Sequence, residues 1–303
     1  METQRLSYLH AIVAVLLWSS VASAFKISLR YVNFLQLLFY ASITSISIFF
    51  VILLFQNKLN LLRAYSKKDY LHSILLGFLN PFLYYIALFK AYSLLPAQEA
   101  QPLNYTWPIM LVLLSIPLLK QKISLKNIFA VLIGFIGVVI IGTRGNLTSL
   151  KFSNPLGVAL AISSSLIWAL FWIYNMKDKR DEVAKLFLNF LFGFIFISAA
   201  AISFSNITIP SINGFLGVTY VGLFEMGVTF IIWIKALRLS KTTARISNLI
   251  FLTPFISLFF IHIVVGEEIL FSTIIGLIFI VMGIIIQQYD NIIRPNLEEP
   301  FGR

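Results

Sequence analysis

Residues 8–29 read YLHAIVAVLLWSSVASAFKISL, and residues 155–175 read PLGVALAISSSLIWALFWIYN. Each is close to the roughly 20 residues that cross a bilayer core as a helix. Each also carries a tryptophan at mid-length, Trp18 in Leu-Leu-Trp and Trp168 in Leu-Ile-Trp. A shift of 150 residues lays Trp18 on Trp168 and Arg30 on Arg180. A shift of 145 lays Asn80 on Glu225, Lys90 on Lys235 and Ala91 on Ala236. After one inserted residue, a shift of 146 pairs Pro108 with Pro254, Ile123 with Ile269 and Gly137 with Gly283. Matches kept in order over so long a stretch indicate an internal repeat.

Working outward, apolar runs follow one another along the whole chain. Spans are expected at 8–29, 33–55, 70–91, 95–119 and 125–142, then at 155–175, 185–204, 212–237, 242–265 and 270–288. The composition agrees: 59% of the 303 residues are hydrophobic and 12% charged, with mean hydropathy +0.91. A soluble domain carries about 25% charged residues. The short alternating segments of a membrane β-barrel are not seen. Arg5, the apolar run 11–21 and Ala22-Ser23-Ala24 resemble a cleavable leader. The recurrence of the same pattern at 155–175 favours an uncleaved first span.

Five spans per copy is an odd number, so the second copy must enter the bilayer from the opposite side. The expected fold is therefore an all-α integral membrane protein of ten transmembrane helices, arranged as two inverted five-helix repeats. The units are 6–142 and 155–288, followed by a polar tail, 289–303. With the N-terminus inside, seventeen Lys and Arg fall in inner segments and three, Arg30, Arg144 and Lys151, in outer ones. Lys26, Lys90 and Lys235 lie within spans near their ends, where long side chains can snorkel. The bias places both termini in the cytoplasm.

The net charge of +11 thus sits in topology-setting loops, and nucleic acid is not an expected partner. There is no cysteine, and His10, His72 and His262 are far apart, so no metal site is expected. The HExxH, GxSxG and Gly-Lys-Ser/Thr patterns are missing from the sequence. No enzyme activity, cofactor or nucleotide is expected, and transport would be secondary or facilitated. Expected partners are a small-molecule substrate, the lipid bilayer and protons; the sequence leaves the oligomeric state open.

Two five-span halves, the Leu16-Leu17-Trp18-Ser19 start and a proline in the fourth span of each half resemble the drug/metabolite transporter superfamily, EamA type. So does Gly266-Glu267-Glu268 followed by Gly276 and Gly283. The resemblance covers about residues 6–288. Asn104-Tyr105-Thr106-Trp107-Pro108 is similar to the Asn-Tyr-x-Trp-Pro stretch of the bacterial aromatic amino acid exporter group. This implies an exporter of hydrophobic or aromatic amino acids and related metabolites, with a cavity lined by both halves. It carries over to Glu99, Asn104, Tyr105, Trp107 and Pro108. The first half departs from the pattern, with Gln121-Lys122 where a Gly-Glu pair is usual.

The residues themselves nominate the site. Glu225 lies about 13 residues from either end of its span. An ionised carboxylate in lipid costs several kcal/mol, so it must face a cavity or a partner, or be protonated. A proton acceptor and a partner for a substrate amine are both open roles. Thr229 and Trp233 follow at i+4 and i+8 on one helical face. Asn80 is followed by Pro81 and by Tyr84 at i+4, and its amide suits a zwitterion. Glu99, Gln101, Asn104, Tyr105 and Trp107 crowd one span, and Trp18 and Trp168 pair as opposing walls. Pro108 and Pro254 would each remove a helix hydrogen bond, at Asn104 and Ile250, and act as hinges. Gly137 and Gly283, with Ala130 and Gly276 seven residues earlier, form small-residue stripes for close helix packing or an oligomer contact facing lipid. The rivals to a coupled exporter are an uncoupled facilitator, a membrane enzyme and a non-transporting scaffold.

Overall fold

The computed structural model describes residues 2–119, 125–148, 151–240, 246 and 248–293. In the first half, α1 (Glu2–Ser28) and α2 (Phe34–Phe55) are unbroken. A short helix that the apolar pattern did not announce, α3 (Leu59–Ala64), follows them. The third span consists of α4 (Lys67–Gly77), a wide π turn (Phe78–Leu83) and α5 (Tyr84–Leu94). The fourth is α6 (Ala97–Asn104) and α7 (Trp107–Leu119), and the fifth is α8 (Leu125–Gly142).

The second half repeats this plan. Its first two spans are α9 (Pro155–Lys177) and α10 (Glu182–Phe204). The eighth span is α11 (Ile212–Tyr220), a π turn (Val221–Glu225) and α12 (Val228–Leu239). The ninth runs through a 3-10 turn (Asn248–Leu252), α13 (Thr253–Phe260) and a π turn (Ile261–Val265), and α14 (Phe271–Ile293) is the tenth. Six of these spans are long and apolar enough by themselves to cross a membrane; the apolar stretches at 128–142, 249–265 and 271–286 are shorter. The fourth span falls short because polar residues and a break divide it.

Caps explain several boundaries. Asn33 Oδ1 accepts the amides of Leu35 and Gln36 while Gln36 Oε1 accepts the amide of Asn33, a reciprocal capping box that starts α2. Ser66 and Asp69 form the same device at α4. Asn154 caps α9, with Pro155 as its first residue, where a missing N–H costs nothing.

The inversion is visible in how equivalent spans pack. Asn33, at the start of α2, donates to Ser205 just past the end of α10 (2.8 Å). Lys58, beyond the end of α2, pairs with Asp181 at the start of α10 (2.6 Å). The second and seventh spans are repeat mates and run antiparallel. The fifth and tenth do the same: Gly137 abuts Gly276, and a Cβ on Gly283 would lie 2.6 Å from the carbonyl oxygen of Ala130. The small-residue stripes are therefore spent inside the chain on the α8–α14 contact, rather than on a surface turned to lipid. Tight backbone approach is what small residues permit in a bilayer.

The polar links sort into two ends. At the Lys/Arg-rich end, Arg180 grips Asp178 with two nitrogens (Nε to Oδ1 2.9 Å, Nη2 to Oδ2 2.6 Å) and donates to the Asp69 carbonyl. Burial alone would push the Asp178 carboxyl up, but these bonds and the Lys185 charge hold it below its usual 3.8. Asp181 is likewise held low, the Lys58 bond outweighing its burial. A groove of about 530 Å³ opens here between Lys68, His72, Lys177 and Arg180. At the opposite end, Gln36 Nε2 reaches the Asn206 carbonyl and Thr208 Oγ1, both at 2.9 Å. Residues 120–124, 241–245 and 294–303, including Gln121-Lys122 and the polar tail, lie outside the described residues.

Candidate substrate site and end seal

The third and eighth spans break at repeat-matched places. Asn80 stands at φ −145°, ψ 116° inside the turn Phe78–Leu83, and Glu225 ends the turn Val221–Glu225. Wide turns of this kind release backbone groups from the regular ladder and recur at functional positions. Pro81 removes one N–H from the third span. Gly227, at φ −125° and ψ −103°, completes the break in the eighth.

Glu225 is buried, and its Oε1 accepts the phenol of Tyr85 at 3.2 Å. That bond joins the two halves. The phenols of Tyr84, Tyr92 and Tyr105 lie in the same electrostatic neighbourhood. Tyr84 Oη donates a long bond to Asn104 Oδ1 (3.4 Å), and Asn104 Nδ2 donates to Ser164 Oγ at 2.9 Å. Thr106 and Ser165 share a hydroxyl pair at 3.0 Å. Tyr105 approaches the Thr253 hydroxyl, which otherwise has no partner. Both polar side-chain atoms of Asn80 are buried without a hydrogen-bonding partner in the protein, and so is Gln101 Oε1. Polar groups left so inside a protein normally find water or a solute.

Aromatic rings connect these polar groups. Centroid distances run 4.6 Å from Tyr85 to Tyr84, 4.8 Å on to Trp168 and 5.7 Å on to Phe230. The track continues 5.6 Å to Trp18 and 5.7 Å to Trp233. These are spacings at which rings attract beyond simple burial. Trp18 and Trp168 meet across the Phe230 ring that lies between them.

The structure thus gathers Trp18, Tyr84, Trp168, Trp233 and Glu225, with Asn104 joined through Tyr84. Other nominated residues are placed differently. Thr229 lies past the Gly227 break and gives its hydroxyl to the Phe224 carbonyl at 2.5 Å. Trp107 is half-buried at the start of α7 and stands outside the ring track. Pro108 and Pro254 are each the second residue of a helix, α7 and α13. Neither interrupts a continuous α-helix: α6 ends at Asn104 before Pro108, and a 3-10 turn ends at Leu252 before Pro254. Each missing N–H therefore falls in the first turn of a helix, where it has no intrahelical partner to lose.

Glu99 belongs to another structure. It is fully buried, but Oε1 accepts Arg144 Nε at 2.7 Å and Oε2 accepts Ser153 Oγ at 2.6 Å. This is the end opposite the basic loops. There Glu267 accepts the amides of Ala97 (2.8 Å) and Gln98 (3.1 Å), capping α6 from the other half. Gln98 answers through Nε2 to the Glu268 carbonyl and through Oε1 from the Leu270 amide. Lys26 Nζ reaches the carbonyls of Tyr92 (3.0 Å) and Leu95 (2.6 Å) instead of snorkelling to water. Arg30 donates to the Val265 carbonyl. Of these, the Glu267 cap, the Gln98 bonds and the Arg30–Val265 bond join the two halves at this end, while the Glu99–Arg144 pair and the Lys26 bonds brace the first half beside them.

Tyr85, Ser164 and the Glu267 cap were missed in the sequence. Spacing by i+4 selected Tyr84 from Asn80, and Tyr84 does reach the site; its neighbour Tyr85 carried no spacing signal of its own. Ser163-Ser164-Ser165, just before Trp168, was the available signal for Ser164.

An EamA-like transporter family model matches residues 5–143 and again 155–287. An uncharacterized transporter of Acidianus ambivalens is 31% identical over 51% of this chain and 62% of its own length. An uncharacterized transporter of Clostridium kluyveri is 28% identical over 57% of this chain and 58% of its own length. The chain thus spans about three-fifths of these relatives. The aromatic amino acid exporter YddG of Ancylobacter novellus is 26% identical over 50% of this chain and 53% of its own length. A solved crystal structure superposes on 97% of this chain and 98% of its own with a TM-score of 0.66 at 20% identity, a likeness of fold. With two matched segments that together cover most of its length, the chain belongs to the EamA-like transporter family.

Proposed function

We propose that this transporter is a secondary exporter of hydrophobic or aromatic amino acids or related compounds. It would work by alternating access in the cell (inner) membrane, with the basic end and both termini in the cytoplasm. The observation that carries the reading is the Tyr85–Glu225 bond. It sets a buried acid of one half against a phenol of the other, at the break of the eighth span and beside the ring track. Discontinuous helices that meet at a repeat interface are where such transporters hold solutes. The seal around Glu267 supports a state closed at the outer end. The bilayer and a small molecule are then the partners, and protons the coupling ion. Proteoliposomes loaded with radiolabelled phenylalanine, tryptophan or leucine test this, with and without a pH gradient. Saturable efflux that the gradient accelerates supports it. Equal flux with and without the gradient would leave an uncoupled facilitator, and no flux of any would remove the amino acid reading.

A further inference from the structure

The groups around Glu225 are unequal in charge. The acid receives a neutral phenol, and among the described residues no basic side chain is bonded to it. The basic groups of the described spans are engaged or turned elsewhere. Lys26 is held on the carbonyls of Tyr92 and Leu95, and Lys90 lies over the Phe34 ring at 4.9 Å. Lys185 is paired with Glu182, and Lys235 is exposed.

What does surround the acid is aromatic: Tyr85 on the carboxylate, then Tyr84, Trp168, Phe230 and Trp18. Ring faces attract cations, quaternary ammonium groups included. A substrate carboxylate would instead need a guanidinium, an ammonium or a set of N–H donors. Here it would meet Glu225 and the electron-rich faces of the rings.

We infer that this site recognises its substrate by a cationic nitrogen on an aromatic or aliphatic body, so that organic amines are preferred to the zwitterionic amino acids of the same skeleton. The ammonium sits against Glu225, and the body lies along the rings between Tyr84 and Trp18. Asn80, with both polar atoms unpartnered, serves a hydroxyl or amide of the solute. This rests on the assignment of Glu225 to the transport site and deepens it.

The test is competition in proteoliposomes of the full chain, with tracer flux of the N-trimethyl derivative of tryptamine, which keeps its charge at every pH and crosses bare lipid slowly. Tryptamine, tryptophan and indole-3-acetate share one ring and differ in charged groups. The expected order is tryptamine first, tryptophan weaker by about tenfold or more, as loss of about 1.4 kcal/mol implies, and indole-3-acetate without effect. Glu225→Gln should collapse the tryptamine-over-tryptophan ratio toward one, and Glu225→Asp should restore part of it. The wild-type competition stands even if the variants do not fold. Tryptophan competing as well as tryptamine, or indole-3-acetate competing at all, overturns the inference while leaving an amino acid exporter in place. Absence of tracer flux in vesicles that still move phenylalanine overturns it too. Failure of every solute would instead remove the transport reading itself.

Discussion

Tyr85 and Glu225 are 140 positions apart in the chain and 3.2 Å apart in the structure, the phenol of one half donating to the carboxylate of the other. If the halves rock as proposed, a bond across the repeat interface must loosen each time. Whatever changes the charge of Glu225 therefore bears on that motion.

Glu225→Gln keeps the shape and a hydrogen-bond acceptor but cannot take up a proton. If Glu225 carries the coupling proton, accumulation driven by a pH gradient should vanish while amino acid exchange at equal concentrations continues. Lys235, exposed on α12 beyond the Gly227 break, is not placed to take over. Unchanged gradient-driven transport in this variant would reduce Glu225 to a structural acceptor.

Glu267→Ala deletes the cap that one half places on α6 of the other. Hydrogen bonds to a charged group contribute about 1.5–3 kcal/mol each, so the sealed state should lose a large share of its population. The chain has no cysteine, which makes a single engineered one a clean reporter. Labelling of a cysteine at Thr253 by a membrane-impermeant maleimide from the outer side should speed up in Glu267→Ala. An unaltered labelling rate would show that the other bonds hold the seal unaided.

Gly137→Ala and Gly283→Ala should each destabilise the fold by about 1–3 kcal/mol, the usual range for overpacking. The added methyl of either would meet backbone, the Gly276 carbonyl oxygen or that of Ala130, which has no rotamer to yield. Thermal unfolding in detergent should report a lower Tm for both. Equal Tm values would mean that α8 and α14 slide apart more easily than their packing implies.

Asp178 and Asp181 set an acid limit at the basic end. Both are held below the ordinary 3.8 by Arg180 and Lys58 respectively, against the opposing push of burial. A folded-state value below the unfolded one means stability that is fully present above about pH 4. It is lost as pH falls through the lower folded values. Detergent-solubilised protein should therefore show a Tm that is flat in this respect from neutrality to about pH 5 and drops below about pH 4. In Asp178→Asn combined with Asp181→Asn, the neutral Tm should be lower and the acid drop shallower.

Pro108→Ala gives a contrasting expectation. A proline inside a helix costs about 3 kcal/mol, but Pro108 is the second residue of α7. Its replacement should change Tm only slightly. A large gain in stability would indicate that the Tyr105-Thr106 break is imposed by the proline rather than by the tertiary contacts of Asn104 and Thr106.

Much of the architecture was legible in the chain because a bilayer makes severe demands. Backbone groups in lipid must bond within their own helix, so each span announces itself as a long apolar run. Ends set by Asn33, Asn154 and the residues near Gly142 fell within a residue or two of the observed helices. Glu225 was legible as well, since an acid in mid-span is too costly to be casual.

Partners were another matter, because they depend on distances between elements that the order of residues does not contain. Glu99, an acid in a polar stretch, read as a site residue. Only the fold brings Arg144 and Ser153 to it and binds its carboxylate beside the end where the halves join. The glycines of α8 and α14 read as a surface for packing, and only the fold shows that each helix is the other's partner. Tyr85 was hidden because its partner, Glu225, lies 140 positions away and only the packing of the two halves brings them together. The sequence by itself determined the number of spans, their alternation and the twofold plan, because these follow from local hydrophobicity and charge. Which polar groups meet, and at which end of the molecule, was decided by tertiary structure. That outcome depends on bends and contacts that bring residues more than a hundred positions apart within 3 Å.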